Sequence, residues 1–511
     1  MKEVVTIEAE GSKDSKKASV VGGGGEDMGA SSDMHNRAIK ILSAREAYKS
    51  GYDEEELEKP SKMEVLGCQL QVLPQDPARD WAKNHHGLSC TDKEITLYSK
   101  LTERTIRTSG SRFSSLEWTS IGWATGLALA APILGFVSFH LDGHFPTLIT
   151  AAATGVGVFF CLPAGLFKVT KIFIPYIAFI AAASTVSTAS HTHHLGHMIR
   201  AYTAPTLKKN QFHMRQGISS GLSLYATAAG SFGSAIISAF TYHMLREPKD
   251  HEFISLWVVS IFSGLKWLVG IIHCVTACTR TSASISFSSK FHPFSIFKYP
   301  HAIGAIVCVF LSSFTSMCIF VSGVIFIVGQ LCIKPLHLLF FWLIYFCFPL
   351  VSLPLLQPLQ QLVKANSVKM QVLGFLLSIL SSGFGFYFSD THWKWRHLLV
   401  FGAIQSTSNG VLHAFGRILV LDCAPSGKEG AFSIWFAWIR AIGLCAGFAV
   451  GSGVPGRIRP PFGASFCTAL AGIVVLLFGN VSDVGGAEAA GNVVEDSERE
   501  SHVSKESGMR V

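Results

Sequence analysis

The chain has 511 residues, of which 49% are hydrophobic and only 15% charged, with a formal net charge of +8 and a positive mean hydropathy of +0.38. Soluble domains carry about a quarter charged residues, so this composition excludes an ordinary soluble globule and predicts an all-α polytopic membrane protein with polar tails. The Lys and Arg excess flanks apolar runs, which assigns it to topology and lipid headgroups. No basic stripe with interleaved aromatics is present, so no nucleic-acid partner is expected.

Residues 1–118 read as a polar, largely disordered N-terminal tail. A glycine run at 22–25 sits among Ser and Asp, a short helix is expected near 33–49, and 53–58 is an acidic run of the kind usually solvated. Arg104, Arg107 and Arg112 mark a juxtamembrane segment. The tail is a candidate binding region for a protein partner. It lacks an apolar signal segment, so the first span is expected to direct insertion into the bilayer.

From Thr119 onward, apolar runs long enough to cross a bilayer follow one another. They fall near 119–139, 146–166, 169–190, 216–243, 253–278, 303–331, 336–356, 368–389, 396–421, 430–453 and 461–480, about 11 transmembrane helices. The last stretch, 481–511, is rich in Ser, Glu and Gly and reads as a disordered C-terminal tail. The twelve cysteines are scattered, mostly within the runs, with no CxxC pair, so they read as buried thiols rather than a disulfide framework.

A short pattern occurs twice, 220 residues apart. The first copy is His193-x-x-Gly196 followed by Ala204-Pro205-x-x-Lys208-x-x-x-Phe212. The second is His413-x-x-Gly416 followed by Ala424-Pro425-x-x-Lys428-x-x-x-Phe432. Both copies close one run and precede the next. Six spans separate the two loops, so both lie on one membrane face, which is consistent with a six-span parallel repeat. It divides the bundle into an N-terminal half, 119–298, with about 5 spans, and a C-terminal half, 299–480, with 6. The first half is one span short, because the partner of 303–331 falls near 83–111, too polar for lipid. Lys and Arg counts on the two faces are nearly equal, so charge does not orient the bundle.

Six helices repeated in parallel resemble the major facilitator superfamily. The loop Asp422-Cys423-Ala424-Pro425-Ser426-Gly427-Lys428-Glu429-Gly430, before a helix carrying Gly443, Gly447, Gly451 and Gly453, is similar to one in its folate–biopterin transporter branch. The resemblance spans about 119–480 and implies two pseudo-repeated halves and movement of a small solute. The sequence departs from the family at 140–144, where the Gly-x-x-x-Asp-Arg-x-Gly-Arg loop is missing, and in the absent first helix.

Ionisable groups inside a membrane are costly, so each is a functional candidate. Arg440 and Lys266 lie inside runs, as does His413, with Asn409 and Gln405 one and two turns before it. No Asp or Glu lies mid-span. Such a cationic interior favours a small organic anion or zwitterion, while the bland alternative is snorkelling at the interface. His193, His194 and His197, with His191, could bind zinc or copper, though no Cys or acid adjoins them in sequence. Lys208 and Lys428 would face headgroups or helix ends.

No catalytic constellation and no cofactor motif is read, so no enzyme is expected. The expected partners are the lipid bilayer and a small-molecule solute. The alternatives are a non-transporting scaffold or receptor built on a transporter-like bundle, and a metal-ion transporter using the histidine cluster.

Overall fold

The computed structural model describes residues 115–142, 146–163, 173–203, 207–245, 261–272, 293–329, 335–389, 393–453 and 458–494. The expected features of the N-terminal tail up to residue 114, together with Ala204 and Pro205 of the first repeat loop, lie outside them.

Long apolar stretches become helices because only a helix satisfies every backbone polar group within one segment in lipid. The first five are α1 (Ser115–Leu141), α2 (Pro146–Cys161), α3 (Phe173–Tyr202), α4 (Phe212–Leu245) and α5 (Ile261–Ile272). The next six are α6 (Pro300–Gly329), α7 (Pro335–Val363), α8 (Ser367–Tyr387), α9 (Trp395–Asp422), α10 (Glu429–Gly453) and α11 (Arg459–Phe478). Each expected run thus meets a helix. Among the described residues, six of these (α1, α6, α7, α8, α10 and α11) are long and apolar enough to cross a membrane. Helices α2 and α5 are shorter. Helices α3, α4 and α9 are long but interrupted by Ser, Thr, His and Arg.

Helix contacts are paired by the six-helix offset, which relates α1 to α7, α2 to α8, α3 to α9 and α4 to α10. The packing of α4 on α7 is matched by that of α10 on α1, α1 on α3 by α7 on α9, α2 on α3 by α8 on α9, and α3 on α10 by α9 on α4. Both repeat glycines are closely packed: a Cβ on Gly196 would stand 3.3 Å from Leu421 of α9, and one on Gly416 3.3 Å from Gln371 of α8. Phe212 and Phe432, which close the two copies, are both buried.

Small residues let membrane helices approach closely. On α10, Gly443, Gly447 and Gly451 recur every four residues and lie against the α6 backbone at Phe310, Phe314 and Cys318. A Cβ on Gly443 would stand 2.7 Å from the Phe310 carbonyl oxygen. Gly122 and Gly126 seat α1 on α3 in the same way.

The C-terminal expectation is corrected for residues 481–494, while 495–511 lie outside the described residues. Residues 481–494 are not disordered: Ser482 caps α12 (Asp483–Ala489), and β2 (Val493–Val494) pairs in parallel with β1 (Leu207–Lys208). Asp483 and Asn492 are buried. Composition alone read this stretch as a tail, whereas it folds because its polar side chains find buried partners on distant helix ends.

Candidate functional site

Two groups of polar residues are built by the bundle. One lies deep between α9 and α10. His413 is nine residues before the end of α9 and Arg440 eleven after the start of α10. At 1.5 Å per residue this places both about 15 Å inside the bundle, near the middle of a 30 Å hydrocarbon core. The Arg440 guanidinium Nε donates to His413 Nδ1 at 3.2 Å. One turn along α9, buried Arg417 donates to the Ser223 carbonyl of α4 at 3.1 Å and to its hydroxyl at 2.8 Å. Ser223 in turn donates to the Ala414 carbonyl at 2.8 Å. Among the described residues no carboxylate is within ion-pair distance of Arg440, so two guanidiniums and an imidazole share a region without a mid-span acid. Asn409, one turn before His413, keeps accessible surface although α9 packs against α4, α6, α7, α8 and α10.

The second group gathers helix ends on one face. Asp142, at the end of α1, accepts from His193 Nε2 at 3.0 Å and from the Gly430 N–H of α10 at 2.8 Å. His197 Nε2 lies 3.1 Å from the same His193 nitrogen. Arg200 of α3 pairs with Glu429 and bonds Ser426, and its Nη2 donates to the Ala424 carbonyl at 2.9 Å. Arg215 of α4 faces Asp422 of α9 at 3.5 Å, with both side chains almost fully buried. His197 lies past the apolar run that ends at 190, and Asp422 past the one that ends at 421. Burial, followed by His193, His194 and Arg200, holds the His197 imidazole well below its usual pKa. Burial also pushes the Asp422 carboxyl up to about 6, with Asp483 adding to the effect and Arg215 and Arg200 opposing it.

The structure therefore brings Arg440 and His413 together and sets Asn409 beside them. Gln405 differs from Asn409: it is fully buried, and its Oε1 accepts from Ser381 of α8 at 2.5 Å. Lys266 is carried by α5, whose Trp267 packs on α2 and α3. Among the described residues no group of three or more His, Cys, Asp or Glu is placed to share a metal ion. The zinc or copper reading of His193, His194 and His197 thus finds no support, and His193 instead hydrogen-bonds Asp142. Lys208 lies in β1, and Lys428 closes a turn in which Gly427 adopts φ 73°, a left-handed conformation that glycine accepts without strain.

No family model matches the chain, and no curated protein does. Among solved structures it is similar to the human organic anion transporter MFSD10 (TETRAN), with a TM-score of 0.52 and 12% identity over 83% of this chain and 100% of that one. The chain has a major-facilitator-like fold. It is an integral, multi-pass membrane protein.

Within this major-facilitator-like bundle, sequence reasoning singled out none of Arg417, Asp142, Arg200 and Arg215, and it read Asp422 and Glu429 only as part of the loop before α10. Most of these sit at run ends, where charge is cheap and looks like topology. One signal was available for Arg417: the 220-residue offset makes it the counterpart of His197.

Proposed function

We propose that this protein is a transporter of a small organic anion, with Arg440, His413 and Asn409 lining the substrate gap and Arg417 adding positive charge behind them. One observation carries the reading: Arg440 lies mid-bundle with an imidazole rather than a carboxylate as its hydrogen-bond partner. Two neighbouring guanidiniums in a low-dielectric interior repel each other. An arriving anion relieves that repulsion, and a cation increases it. The similarity to an organic anion transporter agrees with this substrate class. On this reading the bundle works as two halves, 119–298 and 299–480, and the paired helix contacts support that division.

The test is uptake into proteoliposomes loaded with a panel of organic anions, zwitterions and cations. At least one anion should be taken up. Arg440→Gln should reduce its uptake about tenfold or more, the loss expected of a charge-assisted contact, while the variant elutes and melts as folded protein. Lys266→Gln should have a smaller effect, because Lys266 stands outside the α9–α10 pair. Anion uptake unchanged in Arg440→Gln, or no uptake of any solute, would reject the proposal.

A further inference from the structure

After α11 the chain turns at Asn480, whose carbonyl accepts from His301 Nδ1 at the start of α6. It then crosses the polar end of the bundle. The Asp483 carboxylate accepts from Gln216 of α4, from the Ser367 N–H at 3.3 Å and from Asn366 Nδ2 at 3.5 Å, the last two at the start of α8. Gly486 lies on Cys423, so closely that a Cβ there would stand 2.6 Å from the sulfur. Ala487 and Val493 form a small apolar core with Phe212 of α4. The Asn492 side-chain amide donates to the Ala424 carbonyl at 2.8 Å and the Asp422 carbonyl at 3.2 Å, while the Asn492 backbone carbonyl accepts from Leu207 N–H at 2.9 Å.

One short segment thus holds groups from both sides of the repeat at once. Leu207, Phe212 and Gln216 belong to the stretch before α5; Ser367, Asp422 and Ala424 belong to the stretch after it. Asn492 and Arg200 share the Ala424 carbonyl, so the segment lies directly over the Arg200–Glu429 and Arg215–Asp422 pairs. We propose that residues 482–494 are a strap that holds this end of the bundle closed, and that α4 can part from α8 and α9 here only when Asn492 and Asp483 release their partners.

Cys423 reports on the strap directly. It is buried beneath Gly486, and burial pushes its thiol up, so it does not react while covered. Labelling must await opening, and its rate then follows the open fraction. The experiment measures N-ethylmaleimide labelling of Cys423 in the full chain in native membranes, read by mass spectrometry of the peptide that contains it. Cys308, buried on α6, serves as the fold control.

Asn492→Ala should speed Cys423 labelling about tenfold, the equivalent of two lost hydrogen bonds, and leave Cys308 unchanged. Should both cysteines accelerate together, the comparison moves to Lys208→Cys with Val494→Cys, which occupy paired positions on β1 and β2. Oxidising that pair should slow Cys423 labelling below the reduced level, and reduction should restore it. Labelling of Cys423 unchanged both by Asn492→Ala and by the cross-link would overturn the proposal. Because no solute is involved, this result stands whether or not the chain moves an anion.

Discussion

Asp142 Oδ1 accepts the Gly430 backbone N–H at 2.8 Å, so the end of α1 caps the start of α10, a helix 288 residues further along the chain. A carboxylate at a helix N-terminus satisfies an orphan donor and meets the positive end of the helix dipole. The same oxygen takes His193, tying α3 into the contact. Asp142→Ala should therefore destabilise the folded protein by about 1–2 kcal/mol, as loss of a capping side chain does. Gly430→Ala should act on the same contact, since its Cβ would stand 2.8 Å from Asp142 Oδ2. Thermal unfolding in detergent of both single variants and the double variant checks this: the double should lose clearly less than the sum.

Arg200 is expected to matter more. Its partner Glu429 is buried, and Arg200 also bonds Ser426 and the Ala424 carbonyl. Removing one member of a buried pair leaves an uncompensated charge, at a cost of about 3–5 kcal/mol. Arg200→Ala should show a large fall in Tm, and Arg200→Ala with Glu429→Gln should recover part of it. A double variant no more stable than Arg200→Ala would argue against the pair.

The helices were legible because a run of about 20 apolar residues has few alternatives to a membrane helix. Arg440 and His413 were legible as well, since charge inside such a run stands out against its surroundings. Arg200, Arg215, Asp422 and Glu429 were not, because at run ends a structural ion pair has the same sequence signature as a residue facing headgroups. Gln405 misled for a related reason: spacing placed it one turn before Asn409, but the α8 helix, through Ser381, claims that face of α9. The segment after α11 was misread because its Ser, Glu and Gly content resembles a tail. What folds it is a set of partners more than 60 residues away in the chain, such as the Asp422 and Ala424 carbonyls for Asn492.

The glycine stripe of α10 gives a packing prediction. Gly447 faces the α6 backbone, where a Cβ would stand 3.1 Å from both Cys318 N and Met317 Cβ and closer still to the Phe314 carbonyl. That carbonyl belongs to a helix and cannot rotate away. Gly447→Ala should cost about 1–3 kcal/mol by overpacking, and Gly447→Leu should prevent recovery of folded protein. Gly453 has open space around it, so Gly453→Ala should be nearly neutral. Thermal unfolding of the two alanine variants side by side separates contact with α6 from a general effect on helix α10.

Asp422 gives a pH dependence whose sign is fixed. Burial is the main cause that lifts its carboxyl from the ordinary value of 3.8 to about 6 in the folded protein. The unfolded chain therefore releases this proton at lower pH than the folded one, and the folded state loses stability as pH rises between those values. Asp422→Asn removes the titration. It also removes the partner of Arg215, but that effect changes little over the same range because Arg stays charged. The Tm of Asp422→Asn minus that of the natural protein should therefore increase from pH 4 to pH 6 and level off above about pH 7. A difference that stays flat, or that falls with pH, would mean that Arg215 outweighs burial and that Asp422 is ionised throughout the range.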